Sequence, residues 1–160
     1  MKNTKIIIIL FVLVNLINCK AQQTFPLNTD YRNIPDYSYI KDLNNELNQF
    51  AGIYKANYQG NEITLYINKI ENKLEDGSKK KYYNDALVIK YQVKNLSGSI
   101  LQSTLNLSDS NNEFTSIWSA PNENAVVLHY PGTNCGVGWG RVFLFKISST
   151  QLSWEYRPEG

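Results

Sequence analysis

From Phe50 onward apolar residues return at every second position, in short runs cut apart by turn residues, and few folds satisfy that pattern. Ile63, Leu65 and Ile67 alternate with Thr64, Tyr66 and Asn68. Leu87, Ile89, Tyr91 and Val93 alternate with Val88, Lys90, Gln92 and Lys94. Val126, Leu128 and Tyr130 share one face of a further run, and Leu152, Trp154 and Tyr156 one face of the last. Weaker runs lie at 50–57, 100–107, 114–119 and 140–148. A period of two is that of a strand with one buried face. The breaks fall at Gln59-Gly60-Asn61, Asp76-Gly77-Ser78, Ser97-Gly98-Ser99, Asp109–Asn112, Pro121–Asn124 and Pro131-Gly132, all turn chemistry. Connections this short join antiparallel neighbours. The pattern therefore predicts a mainly β protein, an antiparallel meander of about eight strands. Closure into an up-and-down, lipocalin-like β-barrel would remove both exposed edges; a two-sheet β-sandwich is the alternative.

One segment has a different period. Ile40, Leu43, Leu47 and Phe50 recur at spacings of 3, 4 and 3, which predicts a short helix over 38–50, capped by Asp36 or Ser38 and packed on the barrel end. Residues 22–36 carry Pro26 and Pro35 and show no apolar period, so they read as a flexible or loosely docked arm. The organisation expected is thus one β-barrel domain over 37–160, preceded by that arm.

The start of the chain has the pattern of an export signal. Lys2 and Lys5 precede an apolar run from Ile6 to Ile17 broken only by Asn15, and small residues stand at Cys19 and Ala21. This is a signal peptide over 1–21, implying a secreted or periplasmic protein. The run is too short for a bilayer span, which takes about 18 to 20 residues. Leu16-Ile17-Asn18-Cys19 partly fits the box read by the lipoprotein signal peptidase, so a lipoprotein anchored through Cys19 is the alternative. The chain has 16 basic and 14 acidic residues. Lys2, Lys5 and Lys20 belong to the leader, which holds no acid, so 13 basic residues face 14 acidic ones downstream. No case for nucleic-acid binding survives that balance. Cys135 is the one cysteine beyond the leader, so no intramolecular disulfide is expected.

Leu47-Asn48-Gln49-Phe50-Ala51-Gly52-Ile53-Tyr54-Lys55, followed by Gly60–Lys69, resembles the opening of an uncharacterised secreted domain family of Bacteroidetes, a domain of unknown function. The closing Leu152-Ser153-Trp154-Glu155-Tyr156 with Glu159-Gly160 is similar as well, so the resemblance covers roughly 36–160. It implies location and fold, since the family carries no assigned activity. Gly52-Ile53-Tyr54 also resembles the G-x-W on the first strand of lipocalin-like barrels, with Tyr54 in the place of the Trp. That resemblance implies a barrel-plugging ring with a partner arginine, for which Arg157 on the last strand is the best match.

The most unusual stretch is Pro131–Arg141, with Gly132, Gly136, Gly138 and Gly140. It fails as a phosphate loop, because no Lys-Ser/Thr and no helix follow, and as a dinucleotide fingerprint, because no βαβ unit surrounds it. Cys135 and the chain's single histidine, His129, form the one nucleophile–base combination on offer. Alternation turns His129 away from the face of Leu128, and a thiol in a Gly-rich hairpin is more often inert. One His, one Cys and no tight carboxylate cluster supply too few metal ligands, so no metal and no cofactor are expected. The aromatic residues Tyr66, Tyr91, Trp118, Tyr130 and Trp139 are the candidate ligand-binding set, lining a barrel interior that takes a small apolar or aromatic ligand or stacks a sugar. Against that stands ordinary core packing of the same rings.

Three readings follow: an exported, non-catalytic ligand-binding barrel; a protein-interaction or inhibitor domain using the 131–140 loop and neighbouring tips; and a Cys135–His129 enzyme. The export expectation is checked by intact-mass analysis of secreted protein. An N-terminus at Gln22 is expected, and a mass starting at an acylated Cys19 would overturn it in favour of the tethered form.

Overall fold

The computed structural model describes residues 21–77, 80–132 and 137–159. Residues 1–20, Cys19 among them, and the loop residue Cys135 lie outside them. Ten strands form a single sheet: β1 (Thr24–Pro26), β2 (Tyr39–Lys41), β3 (Gly52–Tyr58), β4 (Asn61–Asp76), β5 (Lys81–Lys94), β6 (Ile100–Ser103), β7 (Thr115–Ala120), β8 (Ala125–Tyr130), β9 (Gly140–Lys146) and β10 (Leu152–Pro158). Each of the eight segments read as a strand carries one, and β1 and β2 are additions. The turn signals act as expected where backbone angles show it. Gln59 and Gly60 both have positive φ, at 48° and 77°, and make the two-residue turn that matches strand twist between β3 and β4.

β5 organises the sheet. Along one edge it pairs antiparallel with β4, from Glu62↔Lys94 to Asp76↔Lys81. Along the other it takes three partners in turn: β2 in parallel at Tyr83 and Asn84, β7 at Val88, and β6 from Gln92 to Lys94. β7, β8, β9 and β10 then follow as an antiparallel meander. Both faces of β5 are buried, with Ala86, Leu87, Val88 and Ile89 essentially inaccessible. The core lies on one face of the sheet: Ile67, Leu87, Ile89, Val126, Leu128, Val142 and Leu144, closed at one end by Leu47 and Phe50.

The sheet curls into an open half-barrel; neither a closed lipocalin-like barrel nor a two-sheet sandwich forms. The reason is topological. Because β2, β7 and β6 share one edge of β5, the sheet is seven columns wide from β3 to β10, short of the roughly eight that small barrels use. The ends of the curl meet through side chains: Lys146 Nζ on β9 donates to the Tyr54 hydroxyl on β3 at 3.0 Å. Lys146 is thus the cation beside Tyr54, and Arg157 is not; its guanidinium lies 3.9 Å over the Phe143 ring on the other face. Gly52 has φ 147°, a backbone conformation that favours glycine, and the Tyr54 ring packs over it at ordinary contact distance, 3.4 Å from where a Cβ would sit.

The helix expected over 38–50 is absent. Tyr39–Lys41 is strand and Asn48–Phe50 a single 3-10 turn; Leu43 is exposed while Ile40, Leu47 and Phe50 are buried. The competing interaction is visible. Asp42 accepts from the backbone N–H of Glu46 at 2.6 Å and of Leu47 at 3.2 Å, donors a helix would have used for its own ladder. Asn45, inside the expected helix, has a positive φ of 58°, which no α-helix accommodates. The apolar spacing is real, but a strand, a turn and a 3-10 turn bury it. The 22–36 arm is docked as well: β1 pairs with β2, and Leu27 and Ile34 are buried in the core.

A buried polar knot pins this N-terminal unit. The fully buried Asp42 carboxylate pairs with Lys69 Nζ at 2.8 Å. Burial alone would lower the Lys69 pKa, but the bond to Asp42 and the nearby carboxylates hold it above its ordinary value. Breaking one side of such a pair costs about 3–5 kcal/mol. Asp42→Ala is therefore expected to lose that much in urea denaturation, and Asp42→Ala with Lys69→Met to recover part of it. A loss under about 1 kcal/mol, nearer an ordinary surface change, would show that the pair does not hold the unit.

Candidate functional site

The same register that builds the sheet decides which side chains meet. Val88, Thr115, His129, Arg141 and Arg157 stand directly opposite one another across β5, β7, β8, β9 and β10, so they share the face away from the main core. Asn84 and Tyr82 lie on the same face of β5 by alternation. On this face opens a cleft of about 920 Å³. It lies where β2 and β7 part along the edge of β5. One wall is the 27–34 arm with Tyr82; the other is Trp118, Val127, His129, Arg141 and Phe143.

Two local devices shape it. Asp30 caps the 3-10 turn Tyr31–Asn33 through its carboxylate, which accepts from Arg32 N at 3.0 Å. This turn lays Tyr31 on Tyr82, the rings stacked at 5.4 Å. The second device is a bulge in β7 between Ser116 and Trp118. Without it, alternation would put Trp118 on the core face with Ser116. The extra residue, Ile117, places Trp118 opposite Val127 and so on the cleft face.

At the base sits Asn84, 7% exposed, with an amide oxygen that has no hydrogen-bond partner. Its neighbour Asp85 is fully engaged. It accepts from the Tyr39 hydroxyl, from Asp42 N at 2.9 Å and from Asn72 N at 3.0 Å. Burial, and then the bond to Asp85, push the Tyr39 hydroxyl well above its usual pKa. Burial likewise pushes Tyr82 up to about 12, with the Glu75 charge adding to it. The charges on the rim are largely spent on one another. Arg32 bonds Asp30 and holds that carboxyl down at about 2. Arg141 pairs with Glu159 at 2.7 Å, and Lys80 donates to the carbonyls of Arg32 and Ile34. Two lining hydroxyls are also in use: Ser116 Oγ accepts from Leu87 N at 2.8 Å, and Ser119 bonds Glu46. Among the described residues the cleft therefore presents aromatic surface and, in the Asn84 amide oxygen, a buried acceptor without a protein partner.

The five aromatic residues expected to line one interior are distributed over several places. Trp118 lines the cleft. Tyr130 lines a smaller hollow of about 520 Å³ on the core face with Trp154 and Tyr156, where the rings of Phe114, Tyr130, Trp154 and Tyr156 meet edge to face. Tyr91 is on that same face, its hydroxyl accepting from Gln102 Nε2 at 2.6 Å. Tyr66 is on the opposite face of β4, across from Lys90. Trp139 is half-exposed near the end of the Gly-rich loop. The concave face itself is occupied by core side chains. His129 faces away from Leu128 as alternation requires and lines the cleft beside Arg141. Its proposed partner Cys135 lies outside the described residues, as do residues 133–136 of the loop assigned to protein interaction. Among the described residues no group of three or more His, Cys, Asp or Glu is placed to hold a metal, and no helix is long and apolar enough to cross a membrane.

Sequence reasoning missed Asn84, Tyr31 and Tyr82. Asn84 had a signal: it opens Asn84-Asp85 ahead of Ala86–Ile89, polar residues where a strand buried on both faces begins. No curated protein and no solved structure matches this chain. A family model described as a family of unknown function (DUF6705) matches residues 1–150, and the chain belongs to that family.

Proposed function

We propose that this protein is an exported, non-catalytic binding module that holds a small ligand with an apolar or aromatic face in the cleft between the 27–34 arm and β7–β9. The leader pattern of Lys2, Lys5 and Ile6–Ile17 supports export. One observation carries the binding reading: the Asn84 amide oxygen at the base of the cleft is buried without a partner. Leaving such a group unsatisfied costs about 1–3 kcal/mol. Folding alone gains nothing from it, whereas a ligand donor entering the cleft would satisfy it. The exposed Trp118 ring and the Tyr31–Tyr82 stack supply flat apolar surface on either side. Both are rigid aromatic anchors of the kind small-molecule sites use with a few placed polar groups.

Two measurements test this. Asn84→Leu, which removes the unpaired acceptor, is expected to leave stability to urea unchanged or raise it by about 1 kcal/mol. A loss above about 2 kcal/mol, the scale of a broken buried network, would make Asn84 a structural residue. In the wild-type protein, 2-naphthol, a planar apolar probe with one hydroxyl donor, is expected to move the indole N–H resonance of Trp118 in a saturable way. The Trp118→Phe variant assigns that signal. Movement of the Trp154 signal alone would shift the site to the core-face hollow and overturn the cleft reading.

A further inference from the structure

We infer that the ligand of this cleft is a neutral oligosaccharide; the inference rests on the cleft being the binding site. Charge excludes the alternatives first. Arg32 and Arg141 are each paired with a carboxylate, and Lys80 with two backbone carbonyls, so among the described residues lining the cleft no Lys or Arg is left unpaired for an anionic ligand. Among the carboxylates that line the cleft, Asp85 already takes three donors, Asp30 is held by Arg32, and Glu75 pairs with Lys73 at 2.6 Å; Glu123 is a single further carboxylate, so no acidic cluster selects a cation. The ligand that fits carries no net charge.

Shape and surface then narrow the class. The cleft, at about 920 Å³, is at the upper end of small-molecule sites, more than one ring fills, and it is open, so a chain of several rings is accommodated. Trp118 is 40% exposed and Tyr31 46%, flat platforms for the C–H face of a ring. The recessed Asn84 acceptor requires a donor on the same ligand. A pyranose ring offers both, an apolar C–H face and hydroxyl donors at its edge. A purely aromatic ligand would fill the platforms and leave Asn84 unsatisfied.

The test is isothermal titration of the purified full chain with neutral tetrasaccharides of glucose, xylose, mannose and N-acetylglucosamine, with tetragalacturonate and an aromatic dipeptide as comparisons. At least one neutral tetrasaccharide is expected to bind, at least tenfold more tightly than its monosaccharide, and to move the Trp118 indole resonance. Its affinity is expected to change less than about twofold between roughly 50 and 500 mM salt, since no ion pair is screened. Trp118→Ala and Tyr31→Ala, both at exposed positions, and Asn84→Leu are each expected to weaken binding about tenfold, the scale of one lost contact, while circular dichroism stays unchanged. Preferential, salt-sensitive binding of tetragalacturonate, or preferential binding of the dipeptide, would overturn the neutral-saccharide inference. So would the absence of any saccharide binding alongside saturable 2-naphthol binding at Trp118, a result that leaves the cleft reading standing. Silence of Trp118 to every probe, 2-naphthol included, would overturn both.

Discussion

The carboxylate of Asp85 is the point on which the rest of the structure turns. It receives donors from three parts of the chain: the Tyr39 hydroxyl on β2, the backbone of Asp42 just after β2, and the backbone of Asn72 in the bulge of β4. Burying a carboxylate costs several kcal/mol unless charge-assisted bonds replace its water, and three such bonds do so here. The consequence is positional. β2 is held at the beginning of β5, while β7 joins the same edge at Val88. Between them β5 has no strand neighbour on that edge, and the Leu87 N–H turns to the Ser116 hydroxyl. The cleft occupies that interval.

Two of the three register shifts among the described strands, those in β4 and β7, act in the same direction. The one between Ile70 and Lys73 brings Asn72 N to Asp85, with Asn72 itself at φ 54°. The one between Ser116 and Trp118 moves an indole from the core face to the cleft face. Each gives up ladder hydrogen bonds and regularity, and each is compensated locally by a buried polar contact or by aromatic surface placed at the cleft. The strand pattern supplies a rigid wall, and the two irregularities put chemistry on it.

Strand periodicity and turn chemistry made the β meander legible: alternation located β3 to β10 and the Gln59-Gly60 turn. The errors have specific physical causes. Ile40, Leu43, Leu47 and Phe50 have helical spacing, but the Asp42 side chain takes the N–H groups of Glu46 and Leu47, and that local competition leaves no trace in apolar periodicity. The arm carried no period because it packs through isolated anchors, Leu27, Ile34 and the Tyr31 ring, instead of through a repeating face. For the site, Trp118 was expected among rings lining a barrel interior; the one-residue bulge in β7, which apolar periodicity does not reveal, turns it to the cleft face. Asn84 escaped because its lack of a partner is visible only in the assembled walls. Barrel closure failed for the least local reason: three strands share one edge of β5, and pairing partners are not written in the strands themselves.

The central claim is that Asp85 holds the N-terminal unit on β5 and thereby keeps the cleft open. Native-state hydrogen exchange of an Asp85→Asn variant tests it most directly. An amide at this position turns a donor toward groups that themselves donate, while the side-chain volume is kept. The account predicts that residues 24–50 and the Asn72 amide lose protection while β8, β9 and β10 keep theirs. Unchanged protection throughout 24–50, or a uniform loss that includes β8 to β10, would contradict it.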